Sequence, residues 1–108
     1  MTFNHSERRE FPRFDVTLAC TVSAHGHEAS STVIDLSAGG VRLRVNSLAE
    51  WIFSAESLLI GLEGYGQYAA KRVWRSGDEC AMAFVISDHE RRRLAGLLQE
   101  KFGGAGRG

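Results

Sequence analysis

From residue 15 onward, hydrophobic and polar positions alternate with a period of two. Val16, Leu18, Cys20 and Val22 fall on one face and Thr17, Ala19 and Thr21 on the other, which predicts a strand with one dry and one wet side. The polar run at 23–30 (SAHGHEAS) interrupts the rhythm, and its Gly26 suits a hairpin connection. Alternation returns at 31–37 (STVIDLS), placing Ile34 and Leu36 inward and Asp35 and Ser37 outward. After a turn at Gly39 and Gly40, residues 41–45 (VRLRV) bury Val41, Leu43 and Val45 and expose Arg42 and Arg44. Ser47 and Glu50 have capping-box spacing, so a helical turn there brings Leu48, Trp51 and Ile52 over one end of the core. Three further strands are predicted at 58–62 (LLIGL), 67–75 (QYAAKRVWR) and 80–86 (CAMAFVI), the first two joined by a turn at 63–66 (EGYG).

The last element has a helical period. Ser87 and Glu90 form a second capping box, and Leu94, Leu97, Leu98 and Phe102 line one helical face. The predicted fold class is therefore all-β with a C-terminal helix: six strands in a small antiparallel barrel, capped by one α-helix. Ahead of it, Pro12 removes a backbone donor and biases Phe11 towards extended chain. Residues 1–14 read as a flexible arginine-bearing arm, 15–102 as the barrel with its closing helix, and 103–108 (GGAGRG) as a disordered tail.

Length and charge narrow the function. At 108 residues there is room for one core and no internal repeat. The 13 basic residues equal the 13 acidic ones, so no global field draws duplex nucleic acid or anionic lipid, and any anion site must be local. No apolar run is long enough to cross a bilayer, and residues 1–10 lack the apolar segment of a secretory signal, which makes the expected location cytoplasmic. Cys20 and Cys80 are too few and too far apart for a zinc motif or a disulfide framework, and read as small reduced fillers. His25 and His27 read as a solvated hairpin tip rather than a metal site, and Arg91, Arg92 and Arg93 as the wet face of the helix. Ser37 has no His partner, and Glu10, Asp15 and Glu28 form no acid/base pair, so no enzyme, metal or cofactor is expected.

The candidate chemistry concentrates in two places. Asp35 and Ser37, two apart on a strand, leave the same face. Gly39 and Gly40 follow, where the chain can turn with positive φ and a ligand can approach the backbone. A carboxylate accepts only, which suits the paired N–H donors on guanine's Watson–Crick edge. Arg9 and Arg13, four apart in extended chain, can point the same way, and their guanidinium forks suit phosphate oxygens or guanine's O6/N7 pair. Rim and arm together present what a guanine nucleotide with phosphates needs.

Residues 8–13 (RREFPR) and 35–40 (DLSAGG) resemble the two signatures of the PilZ domain family, Arg-x-x-x-Arg and Asp/Asn-x-Ser-x-x-Gly. They stand here as Arg9 and Arg13, then Asp35, Ser37 and Gly40, in the family's order and one hairpin apart, within a resemblance over residues 7–102. The resemblance implies a receptor for cyclic di-GMP, with Arg9 and Arg13 gripping phosphates and guanine, Asp35 and Ser37 bonding a base, and Gly40 keeping the turn open. By the same likeness, Arg8 accompanies binding of an intercalated pair of ligand molecules, and Trp74 lies near the pocket, where it packs on a base or simply on the barrel. Where relatives carry Gly-x-x-Phe in the last strand, this chain has Ala81 before Phe84. The implied mechanism is an arm that orders over the ligand and creates a surface for a downstream protein, the domain itself acting as a monomer. The alternatives are a ligand-independent interaction module of pilus or motility assemblies, whose members generally lack these motifs, and a barrel for single-stranded nucleic acid, which neutral charge argues against.

Overall fold

The computed structural model describes residues 11–45 and 51–103. Six strands, β1 (Phe14–Ala24), β2 (His27–Leu36), β3 (Gly40–Val45), β4 (Ser57–Leu62), β5 (Gly66–Ser76) and β6 (Glu79–Phe84), close into an antiparallel barrel in the order β1-β2-β3-β6-β5-β4. A short helix, α1 (Trp51–Ser54), follows β3, and α2 (Asp88–Leu98) follows β6, ending in a π-helical turn at Gln99–Gly103. The expected fold class is the one observed.

Inward side chains from all six strands make one core, with Val22, Val33, Leu36, Leu43, Ile60 and Cys80 fully buried and Ile52 of α1, Leu94 and Leu98 of α2 sealing it. Each large aliphatic side chain so placed contributes roughly 1.5–3 kcal/mol. The Ser87 hydroxyl oxygen accepts the Glu90 amide at 3.1 Å, so Ser87 caps the start of α2. Leu48, the Ser47–Glu50 pair and the tail beyond Gly103 lie outside the described residues.

Three details depart from the sequence expectations. The run at 23–30 is mostly strand: only His25 and Gly26 turn, with φ of 52° and 84°, the left-handed pair of a two-residue hairpin. Ile34 is not inward, because a bulge between Val33 and Asp35 inserts one residue relative to β3, so Val33 fills the core instead. Leu97 remains 38% exposed, since the closing helix turns its Leu94–Leu98 stripe, not Leu97, onto the barrel.

Cys20 and Cys80 are free and buried. Desolvation pushes both thiols up from 9.0 to about 11. Burial also raises the Tyr65 and Tyr68 phenols, Tyr68 additionally feeling Glu90. A thiol that keeps its proton longer folded than unfolded contributes stability that is whole below the unfolded value and lost as pH rises through the folded one. Denaturant unfolding measured from neutral pH upward should therefore show stability falling between pH 9 and about 11, with the fall reduced in Cys20→Ala.

Candidate functional site

The site is built where β1 enters the barrel beside the β2–β3 connection. Asp35 lies directly across from Arg42 of β3 and from Asp15 of β1. Val41 and Leu43 point into the core, so Arg42 faces outward, and residues opposite one another on a ladder share a face. Asp35 is thus on the outer side, yet only 12% of its side chain is accessible. The reason is Arg13: its Nη2 donates to Asp35 Oδ2 at 3.1 Å and its Nε to Oδ1 at 3.4 Å, a two-pronged pair with the arginine side chain 66% exposed. Arg13 also offsets the like charges of Asp15 and Asp35. The sequence reading has Arg13 swinging free; the structure holds it on the rim, with Phe11 and Phe14 packed against the core on either side.

Ser37 organises the turn. Its Oγ accepts the amides of Gly39 at 3.1 Å and Gly40 at 3.2 Å, while Ser37 N–H donates to the Gly40 carbonyl at 2.9 Å. Two amides occupy the hydroxyl's lone pairs, and its proton has only a long contact, 3.5 Å, to the Gly40 carbonyl oxygen. The hydroxyl's remaining capacity is therefore that of a donor.

The glycines work differently from the sequence expectation. Neither Gly39 nor Gly40 has positive φ, a conformation reserved for Gly26, Gly64, Gly66 and Gly77 among the glycines described. Gly40 is required by close approach instead: a Cβ there would run into the Met82 carbonyl oxygen, with Ala83 Cα 3.2 Å away. At Gly39 a Cβ would meet only the Ser37 hydroxyl, at 3.6 Å. Backbone contact with β6, rather than an open turn, explains the second glycine.

Trp74 is 42% exposed and stands in the same outer row. Its partner across β5–β6 is Ala81, and Ala81 faces Arg42, which faces Asp35. Trp74 and Asp35 are three strands apart around the closed barrel. A second bulge, between Arg72 and Trp74, sets that register. Ala81, between Arg42 and Trp74, contributes only a methyl group to that row.

Two arginines join the site that sequence reasoning passed over. Arg42 Nε is buried without a hydrogen-bond partner; its nearest carboxylate, Glu79, is 3.9 Å away and is held more closely by Arg44 at 3.3 Å. The alternation of 41–45, combined with a hairpin register, is the signal that would have placed Arg42 beside Asp35. Arg91, expected on the wet face of α2, instead donates Nη1 to the Ala38 carbonyl at 3.3 Å and Nη2 to those of Ile86 and Phe84 at 3.2 and 3.5 Å. Nothing in the sequence distinguishes it from Arg92 and Arg93. Arg8 and Arg9 lie outside the described residues.

A family model of the PilZ domain matches residues 7–100. The chain belongs to the PilZ domain family. Among solved structures, this PilZ domain is similar to that of YcgR from Escherichia coli, solved with c-di-GMP, at 16% identity and TM-score 0.60 over 93% of this chain and 95% of that one. The Bacillus subtilis inhibitor of motility (MotI/DgrA) matches at 18% identity and TM-score 0.68, over 87% of this chain and 50% of that one. The PilZ domain of CeSA from a cellulose-synthesizing bacterium matches at 16% identity and TM-score 0.63, over 81% of this chain and 93% of that one. At such identities the likeness is one of fold. Comparison with curated protein sequences finds no match. Among the described residues, no helix is long and apolar enough to cross a membrane.

Proposed function

We propose that this PilZ domain is a receptor for cyclic di-GMP, with Arg8, Arg9, Arg13, Asp35, Ser37, Gly39, Gly40 and Trp74 as its binding set. The observation that carries the reading is the Arg13–Asp35 fork beside the Ser37 turn. In the free domain Arg13 occupies the Asp35 carboxylate as guanine's N1–H and N2–H₂ edge would: two donors on two oxygens. Binding is then an exchange of partners. Guanine takes Asp35, and the released Arg13 turns its fork to guanine O6/N7 or to phosphate. Ser37 donates its proton to a ligand oxygen, and the exposed Trp74 offers a stacking face. That the E. coli YcgR domain was solved with c-di-GMP supports the same ligand on the same fold.

Arg8 and Arg9 extend the cation set, and with Arg8 present the reading includes two intercalated ligand molecules per chain. The part of the 1–14 arm ahead of the already seated Phe11–Phe14 segment closes over them, and the covered rim becomes the surface that a downstream protein reads. The domain works without an enzymatic step or a cofactor.

Calorimetric titration tests this. Cyclic di-GMP at micromolar concentration should give saturable heat at two molecules per chain. Cyclic di-AMP, whose adenine edge offers an acceptor where guanine offers N1–H, should give none. Silence with both would favour the ligand-independent interaction module, and equal heat from a single-stranded oligonucleotide would favour a nucleic-acid barrel. One molecule per chain would remove the intercalated pair and leave the receptor standing.

A further inference from the structure

The sequence presents Arg91 as one of three equivalent arginines at the start of α2, and the structure sets it apart. It lies in the first turn after the Ser87 cap, close to the positive end of the helix dipole, where a cation gains nothing from the helix. Its side chain leaves that end and reaches carbonyls on three segments: Ala38 in the β2–β3 turn, Phe84 at the end of β6, and Ile86 in the connection to α2. Arg92 and Arg93 are exposed.

Ala38 is fully buried between the two residues that shape the ligand turn. On one side is Ser37, whose hydroxyl holds the Gly39 and Gly40 amides. On the other is Gly39, whose carbonyl accepts the Phe84 amide at 3.0 Å. The turn is therefore fastened at two successive carbonyls, once by the β6 backbone and once by a side chain from α2. A planar fork with separate Nη1 and Nη2 donors can serve carbonyls on different segments at once; a lysine ammonium, with one nitrogen, cannot span them in the same way.

We infer that Arg91 is a positioning residue for the ligand site, pinning the Ser37–Gly40 turn to the closing helix. This inference rests on the cyclic di-GMP reading for its binding consequence, and on the hydrogen bonds alone for its effect on the turn. Arg91 touches no ligand; it fixes where the Ser37 hydroxyl and the Asp35 end of β2 stand.

The test uses the full chain with Arg91→Met, Arg91→Lys and, as a control on the same helix, Arg92→Met. In ligand-free protein, the Gly39 and Gly40 amides of Arg91→Met should exchange with solvent about tenfold faster, the loss of roughly one hydrogen bond to a charged donor, while β4 amides keep their rates. Cyclic di-GMP should bind Arg91→Met about tenfold more weakly by calorimetry, Arg91→Lys should lie between, and Arg92→Met should match wild type. Unchanged turn exchange and affinity in Arg91→Met would overturn the inference. So would a uniform rise in exchange across the barrel, which marks a residue acting on overall stability alone. Should Arg91→Met fail to fold, Arg91→Lys decides by the same exchange measurement. If wild type itself does not bind cyclic di-GMP, the functional reading fails, and the exchange rates still decide the role of Arg91.

Discussion

Asp35→Ala is expected to weaken cyclic di-GMP binding by about 10- to 100-fold while leaving the fold nearly as stable as wild type. The two halves of that expectation come from different magnitudes. The Arg13–Asp35 pair in the free domain has its arginine side chain 66% exposed, so water and salt screen it, and its net contribution to stability is about 0–1 kcal/mol. A guanine edge that donates to the carboxylate in a site closed from water gains about 1.5–3 kcal/mol, all of which is lost with the side chain. Arg13→Ala poses a sharper question because it acts both ways. It frees Asp35, which helps the ligand by no more than the weak exposed pair, and it removes a guanidinium from the ligand, which hurts by a charge-assisted bond. The second effect is larger, so Arg13→Ala should also bind less tightly. Calorimetry gives the affinities and urea unfolding the stabilities. Tighter binding by Arg13→Ala would mean that Arg13 serves only to block the site.

Gly40→Ala should be the most damaging conservative change in the turn. Its added methyl meets the Met82 carbonyl and the Ala83 Cα, both backbone, so relief requires moving β3 away from β6. Overpacking of this kind costs about 1–3 kcal/mol, more where backbone must shift, and about 4–8 °C in melting temperature per kcal/mol for a domain near this size. Gly39→Ala is the control. The residue has no positive φ and its methyl meets only the Ser37 hydroxyl at an ordinary 3.6 Å, so its stability should stay near wild type. Thermal unfolding of the two variants separates close approach from turn conformation: equal losses would mean that the glycines serve backbone freedom after all.

The contrast between those glycines shows what the chain made legible. Alternation in 16–22 and 41–45 was enough to find the strands, because a one-sided sheet forces a period of two, and the change of period after Ser87 was enough to find the helix. Of the two signatures, Arg13, Asp35 and Ser37 stand together at the rim. What alternation hides is irregularity. The bulge at Ile34 shifts the parity of β2 without changing composition, exchanging Val33 for Ile34 in the core. The Gly40 requirement comes from β6, some forty residues away in sequence, and the tie of Arg91 to Ala38 spans 53; neither leaves a local trace. The Arg13–Asp35 pair was hidden for another reason. The chemistry that suits each residue to guanine equally suits them to each other.

The exchange of partners at Asp35 is best tested by a nitrogen-15 NMR titration of the full chain with cyclic di-GMP, following the Arg13 Nε–H and the backbone amides of Ser37, Gly39 and Gly40. The account predicts that all four signals move together with saturation at the calorimetric stoichiometry, and that in Asp35→Ala the Arg13 signal starts displaced before any ligand is added. Saturable binding that leaves those four signals in place would contradict it.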